Sequence, residues 1–278
     1  MKIKSIIICS IAVTLLVSCG KKSSISIAGS TTVLPVISNA ADIYKEQNKE
    51  VTILVNAGGS GVGVNQLGEG KVDIGMISRD LTTEEIEKYS DISFNTIAIG
   101  KDAVVPVVSS EIYNAGITAL SLADIARIYK GEITNWQSVG GPDREILCVD
   151  KESSRGTRHV FMEIVMGNKE AEAPGADLVL GSNNEEQTAI VQSDAAIGML
   201  SNAWLSEDVI GLGIILENGE IIAPTITNIV SGKFPITRDL LILTNGKPEG
   251  EIKKFIDFVL SKEGQELVEE AGYVKIQN

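Results

Sequence analysis

A single histidine, His159, is all the imidazole in this 278-residue sequence. That excludes a metal site built from several histidines. It also leaves a Ser–His–Asp triad hanging on one residue, with no nucleophile elbow beside it. Cysteine is nearly as scarce: Cys9, Cys19 and Cys148 cannot supply a Cys-rich metal cluster. Aromatic residues make up 4%, too few for a sugar-stacking platform, so Trp136 and Trp204 read as packing residues. Basic residues number 24 against 37 acidic ones, a formal net charge of −13. A chain this short of positive charge lacks the basic footprint that a nucleic-acid backbone needs. If it binds an anion, a local cluster of hydrogen-bond donors must outweigh the distant, screened field that repels it.

The apolar run at residues 6–17, preceded by Lys2 and Lys4, is too short to span a bilayer comfortably and reads as a signal peptide. It closes on Leu16-Val17-Ser18-Cys19-Gly20, which resembles the bacterial lipobox, whose cysteine is diacylated and becomes the mature N-terminus. Residues 1–19 are therefore expected to be a lipoprotein signal ending in the lipidated Cys19, and residues 20–24 a tether. Without Lys2 and Lys4 the balance is 22 minus 37, or −15. Cys9 leaves with the signal, so Cys148 stands alone in an apolar strand, a small buried hydrophobe with no disulfide partner.

What the chain has is a repeated local pattern. An apolar strand at 25–28 ends in Gly29-Ser30-Thr31-Thr32, and Val33, Ile37, Ala40, Ala41 and Tyr44 then recur at helical spacing with Pro35 in the first turn. A second strand from Val51 ends in Gly58-Gly59-Ser60-Gly61-Val62-Gly63, whose glycines let backbone amides approach a ligand at a helix start. A third strand, 72–77, ends in Ser78-Arg79-Asp80. A fourth, 146–149, feeds Lys151-Glu152-Ser153-Ser154-Arg155-Gly156-Thr157-Arg158 and a helix over 157–166. Hydroxyls and guanidinium groups delivered to a helix N-terminus suit an oxyanion, because free N–H groups and the helix dipole point there. Strands alternating with helices predict a mostly parallel α/β sheet, whose ligands lie at the carboxyl ends of the strands. Extended crossings near 100–106 and 229–236 would divide the chain into a discontinuous first lobe, 25–102 plus 231–278, and a second, 103–230, with a cleft between them.

In order along the chain stand Gly29-Ser30-Thr31-Thr32 with Pro35, Gly59-Ser60-Gly61-Val62-Gly63, and Asp73-Ile74-Gly75-Met76-Ile77-Ser78-Arg79. Gly131-Glu132-Ile133-Thr134-Asn135-Trp136, Gly156-Thr157-Arg158 and Ala196-Ile197-Gly198-Met199 follow. Over residues 25–275 this set resembles the phosphate-binding lipoproteins of bacterial phosphate-specific ABC transporters. The resemblance implies a two-lobed periplasmic-binding-protein fold of the second topological class (type II). It implies one dehydrated inorganic phosphate held between the lobes and delivered to a membrane permease. It also implies donation from Thr31 and Thr32 with Ser30 adjacent, from Ser60 with the Gly61 amide, from Ser78 and Arg79, and from Arg155, Gly156 and Thr157.

Two departures from the family pattern stand out. Lys151 occupies the place of the family's ligand arginine, and Arg155 that of a serine. A lysine ammonium is a point charge and cannot grip an oxyanion with two parallel donors, so that bidentate role is expected to fall to Arg155, with Arg79. Some relatives also hold a carboxylate after the third strand to accept the phosphate proton; here Arg79 takes that place, and the acceptor is Asp80, another group or missing. Arg158 reads as a salt-bridging residue and His159 as structural.

The expectation is a monomeric, non-catalytic phosphate-binding protein without cofactor or metal, lipid-anchored to the cell membrane and facing the periplasm or the outside. Binding of sulfate or molybdate, a surface lipoprotein for sensing or adhesion, and a hydrolase are the competing readings. The hydrolase lacks a base, since the converging groups are donors apart from Asp80.

Overall fold

The computed structural model describes residues 23–276. The signal segment, Cys19 and residues 20–22 of the expected tether lie outside the described residues. Ser23 and Ser24, expected to end that tether, open the first strand.

The chain runs β1 (Ser23–Gly29), α1 (Leu34–Gln47), β2 (Val51–Ala57), α2 (Ser60–Gly68), β3 (Ile74–Ile77) and α3 (Thr83–Lys88) into the long strand β4 (Phe94–Ser109). Next come α4 (Ser110–Asn114), β5 (Ala119–Ser121), α5 (Leu122–Tyr129), β6 (Leu147–Lys151), α6 (Gly156–Met166), β7 (Leu178–Leu180), α7 (Asn183–Val191) and β8 (Ala196–Ser201). It finishes with β9 (Val209–Gly211), β10 (Gly213–Ile215), β11 (Ile221–Ile222), α8 (Ile226–Val230), β12 (Thr237–Asn245), α9 (Gly250–Leu260) and α10 (Lys262–Glu270).

The main sheet is mixed, in the order β2-β1-β3-β12-β4-β8-β6-β7, with β9 also paired to β4. β1 runs parallel to β2 and β3, and β6 to β7 and β8; β12 and β4 supply the antiparallel pairs. β4 belongs to both halves. Its first part pairs with β12, and its second, from Val104, with β8. The apolar cores divide at the same place: one draws on residues between Ala103 and Ile236, the others on residues between Ile25 and Ile99 and between Leu240 and Tyr273. This is the two-lobed α/β fold expected, with β4 and β12 as the chain crossings.

The second crossing differs in detail from the extended 229–236 of the sequence reading. Thr225 accepts from the Asn228 amide, capping α8 and burying Ile229, so the crossing begins at β12. α1 follows its pattern closely, burying Val36, Ile37, Ala40, Ala41 and Tyr44, with Pro35 in the first turn where no N–H is needed.

Candidate anion-binding site

Four strand–loop–helix units point at one small cavity. It is lined by Ser30, Thr31 and Thr32 before α1, and by Gly59 and Ser60 at the start of α2. The second lobe contributes Lys151 at the end of β6, Arg155, Gly156 and Thr157 at the start of α6, and Gly181, Ser182 and Asn183 at the start of α7; Ser78 after β3 completes the wall. Three of the helices, α1, α2 and α6, begin without a side-chain cap, so first-turn amides and dipole ends are directed at this space. The cavity is about 10 Å³, enough for the centre of one water-sized body. Only a compact group fits.

The lobes touch around it. Asn183 Nδ2 donates to Thr32 Oγ1 at 3.2 Å, and the Gly61 amide donates to the Ser154 carbonyl at 3.1 Å. The Gly61 amide is thereby already engaged. Gly156 sits so close to the first lobe that a Cβ there would lie 2.4 Å from Ser60 Oγ and 2.7 Å from Ser78 Oγ. No side chain fits at that position while the lobes are together.

The hydroxyls are wired to one another. Ser30 Oγ donates to Ser78 Oγ at 2.9 Å and accepts from the Thr32 amide at 3.2 Å; the Ser78 amide donates to Ser60 Oγ at 3.1 Å.

The cations are disposed unevenly. Lys151 lines the cavity while buried, and its ammonium pairs with Glu186, which is itself wholly buried. Burial pushes the Lys151 pKa down and the Glu186 carboxyl up, against the pull of each on the other. Arg155 sits at the mouth, its Nε donating to Glu152 at 2.8 Å and its stem lying across Gly59 of the other lobe. Arg79 does not line the cavity. Its guanidinium grips Glu85 at 2.6 and 2.8 Å, within the capping box that Thr82 and Glu85 form at α3. Arg79 faces a separate groove of about 300 Å³, shared with Asp80 and His159. Asp80 is exposed there, away from the cavity. The sequence pattern placed Arg79 next to Ser78, but neighbours along a chain leaving a strand point in different directions.

Sequence reasoning overlooked four contributors. Asn183 and Ser182 repeat the pattern of strand, hydroxyl and helix start after β7, a signal that was open to reading. Arg238 and Asp102 gave less: a lone arginine and a lone aspartate in extended apolar runs. They face each other across β12 and β4, with Arg238 Nη2 and Nε on Asp102 Oδ2 at 2.6 and 2.9 Å. Arg238 also donates to the Ser78 carbonyl and Thr157 Oγ1 at 3.1 Å, and to Thr32 Oγ1 at 3.2 Å. Burial pushes the Asp102 carboxyl up, opposed by the guanidinium.

The remaining polar groups are structural. Arg158 makes the salt bridge expected of it, buried against Asp150 at 3.0 Å. His159 Nε2 bonds the Ser153 carbonyl at 2.7 Å, Trp136 Nε1 donates to the Ala195 carbonyl, and burial raises the Cys148 thiol. Among the described residues no His/Cys/Asp/Glu group is placed to hold a metal ion, and no helix is long and apolar enough to cross a membrane.

Comparison with known proteins adds an independent line. Residues 18–263 match the family described as a PBP superfamily domain. The phosphate-binding protein PstS of Borreliella burgdorferi is 33% identical over 289 residues, covering 100% of both chains. PstS of Bacillus subtilis is 31% identical, covering 91% of this chain and 81% of its own. Among solved structures, a Clostridium perfringens substrate-binding protein assigned to phosphate ABC transport, crystallised with bound phosphate, superposes with a TM-score of 0.82. It is 30% identical and covers 92% of this chain and 100% of its own. An ABC-type phosphate transport receptor from Vibrio cholerae gives 0.72 at 33% identity, covering 91% and 100%.

Proposed function

The chain belongs to the PBP superfamily, and within it to the PstS phosphate-binding proteins, and from that we propose that it captures inorganic phosphate in the interlobe cavity for delivery to an ABC permease. The observation that carries this reading is the convergence of four helix starts, a ring of hydroxyls and one buried ammonium on one small cavity. Donors in that number hold a tetrahedral oxyanion without water, at a helix-dipole end that favours negative charge.

Phosphate ligands in this reading are Ser30, Thr31, Thr32, Ser60, Ser78, Gly156 and Thr157, with Lys151 as the inner cation and Arg155 closing the mouth. Arg79 is left to structure, and Gly61 binds the opposite lobe instead. The protein is read as a monomer without catalytic activity. In support, His159 is bound to the Ser153 carbonyl and lies outside the cavity. Cys19 is proposed to carry the lipid that keeps the protein on the outer or periplasmic face of a membrane, which metabolic labelling with palmitate tests.

Another tetrahedral oxyanion, such as sulfate or molybdate, is the second reading, and one observation favours it. No carboxylate lines the cavity, so none is offered to the proton of hydrogen phosphate. Calorimetric titration with phosphate and sulfate decides between the two. Tight phosphate binding is expected; a chain that binds sulfate and gives no heat with phosphate would overturn the first reading.

A further inference from the structure

We propose that Arg238 is the positioning residue of the anion site: it commits Thr32 of one lobe and Thr157 of the other to donate into the cavity, and it does so only when the lobes are together. The inference rests on the phosphate reading above.

A threonine hydroxyl has two lone pairs and one proton. Thr32 Oγ1 accepts from Arg238 Nη2 and from Asn183 Nδ2, both at 3.2 Å. Its acceptor capacity is used, and its proton has to go elsewhere. Thr157 Oγ1 accepts from Arg238 Nη1 at 3.1 Å. The two hydroxyl oxygens stand 3.5 Å apart, at the limit of a useful hydrogen bond, so neither is a good sink for the other's proton. Both line the cavity. An oxyanion placed there meets the Thr32 O–H, whose acceptor capacity is used, and the Thr157 O–H, which the guanidinium beside it turns toward donating.

Arg238 itself does not line that cavity, so its influence passes through the hydroxyls. Its own orientation is over-determined. Asp102 Oδ2 takes Nε and Nη2, the Ser78 carbonyl takes Nη1, and Ser201 Oγ holds the other Asp102 oxygen at 2.8 Å. Arg238 and Asp102 stand opposite each other on the two strands that cross between lobes. A guanidinium at this place reaches Thr32 and Thr157 together only in the closed arrangement, which makes closure and donor alignment one event. A lysine, with a single nitrogen, cannot serve two hydroxyls, a carbonyl and a carboxylate at once.

The test is a double-mutant cycle read by phosphate calorimetry, with the melting temperature of each unliganded variant as a folding control. Arg238→Lys and Thr157→Val are each expected to weaken phosphate binding about 10- to 100-fold. The double variant is expected to be no weaker than the worse single variant, because both remove the same committed donor. If Arg238→Lys does not fold, Arg238→Gln, which keeps a planar pair of donors, takes its place in the same cycle. A merely structural role would lower the melting temperature while the affinity losses multiplied. Multiplying losses, or wild-type affinity in the Arg238 variant, overturns the inference and leaves phosphate binding standing. A wild-type chain that gives no heat with phosphate overturns both.

Discussion

Gly156 shows how much one missing side chain decides. A Cβ at this position would run into Ser60 Oγ and Ser78 Oγ, hydroxyls of the other lobe that belong to the anion site. Ala at 156 would push them aside or hold the lobes apart. Overpacking of this kind costs about 1–3 kcal/mol, so Gly156→Ala is expected to weaken phosphate binding roughly 10- to 100-fold in calorimetry. The unliganded melting temperature should change little, because the clash exists only on closure. The residue scale is also where sequence and structure part most clearly over cations. Lys151, an expected point charge, is buried and compensated by Glu186, whereas Arg155, expected to be the principal guanidinium, is spread over the mouth with Glu152. Lysine is the shorter-headed cation and fits inside; the fork fits at the rim.

Elements carry function through how they begin. α2 and α6 start without side-chain caps and point at the cavity, while α3 starts with a complete capping box whose Glu85 is held by Arg79. Arg79 thus belongs to the stability of an element next to the site. Glu85→Gln is expected to destabilise the chain by about 1–3 kcal/mol in chemical denaturation, because it leaves a buried guanidinium without its counter-charge. Phosphate affinity should stay within about two-fold of wild type, since hydrogen bonds at an element outside the cavity do not contribute to its donors. A large drop in affinity in a variant of normal melting temperature would return Arg79 to the ligand set.

Stability against pH is a property of the whole molecule. Burial, then the neighbouring Arg79, hold the His159 pKa below its ordinary 6.5. Above about pH 6.5 the ring is neutral in both folded and unfolded chains and contributes nothing to the balance. Below it the unfolded chain takes up a proton that the folded one resists, so stability falls with pH from about 6.5 down to the depressed folded value, by at most about 1.4 kcal/mol per pH unit. Asp102, Asp150 and Glu186, raised by burial, act in the opposite sense at acid pH. The informative quantity is therefore a difference: between pH 7.5 and 5.5, His159→Gln should lose less stability than the wild type in matched denaturation curves. An equal or steeper loss would remove His159 from the account.

Much of this protein follows from local pattern. Apolar strands ending in Gly and hydroxyl residues, followed by helical periodicity, mark three of the four units that build the cavity walls, and Ser78 after β3, because strand, turn and helix start are each set by a few neighbouring residues. The loops that hold Ser30, Thr32, Ser60, Ser78, Gly156 and Thr157 stand out that way, the individual residues being what the family resemblance implied, and Asn183 lay within reach of the same local argument. Partners distant in the chain do not stand out in this way. Arg238 meets Asp102 across 136 positions and Thr32 across 206, and Lys151 at the end of β6 meets Glu186 on α7. Those pairings depend on the register of β12 against β4 and on how α7 packs beside β6, which only the packing of the whole chain decides. The sequence alone determined that the loops after β1, β2, β3 and β6 present donors to an anion; the tertiary structure added the start of α7 and decided which charges stand behind them.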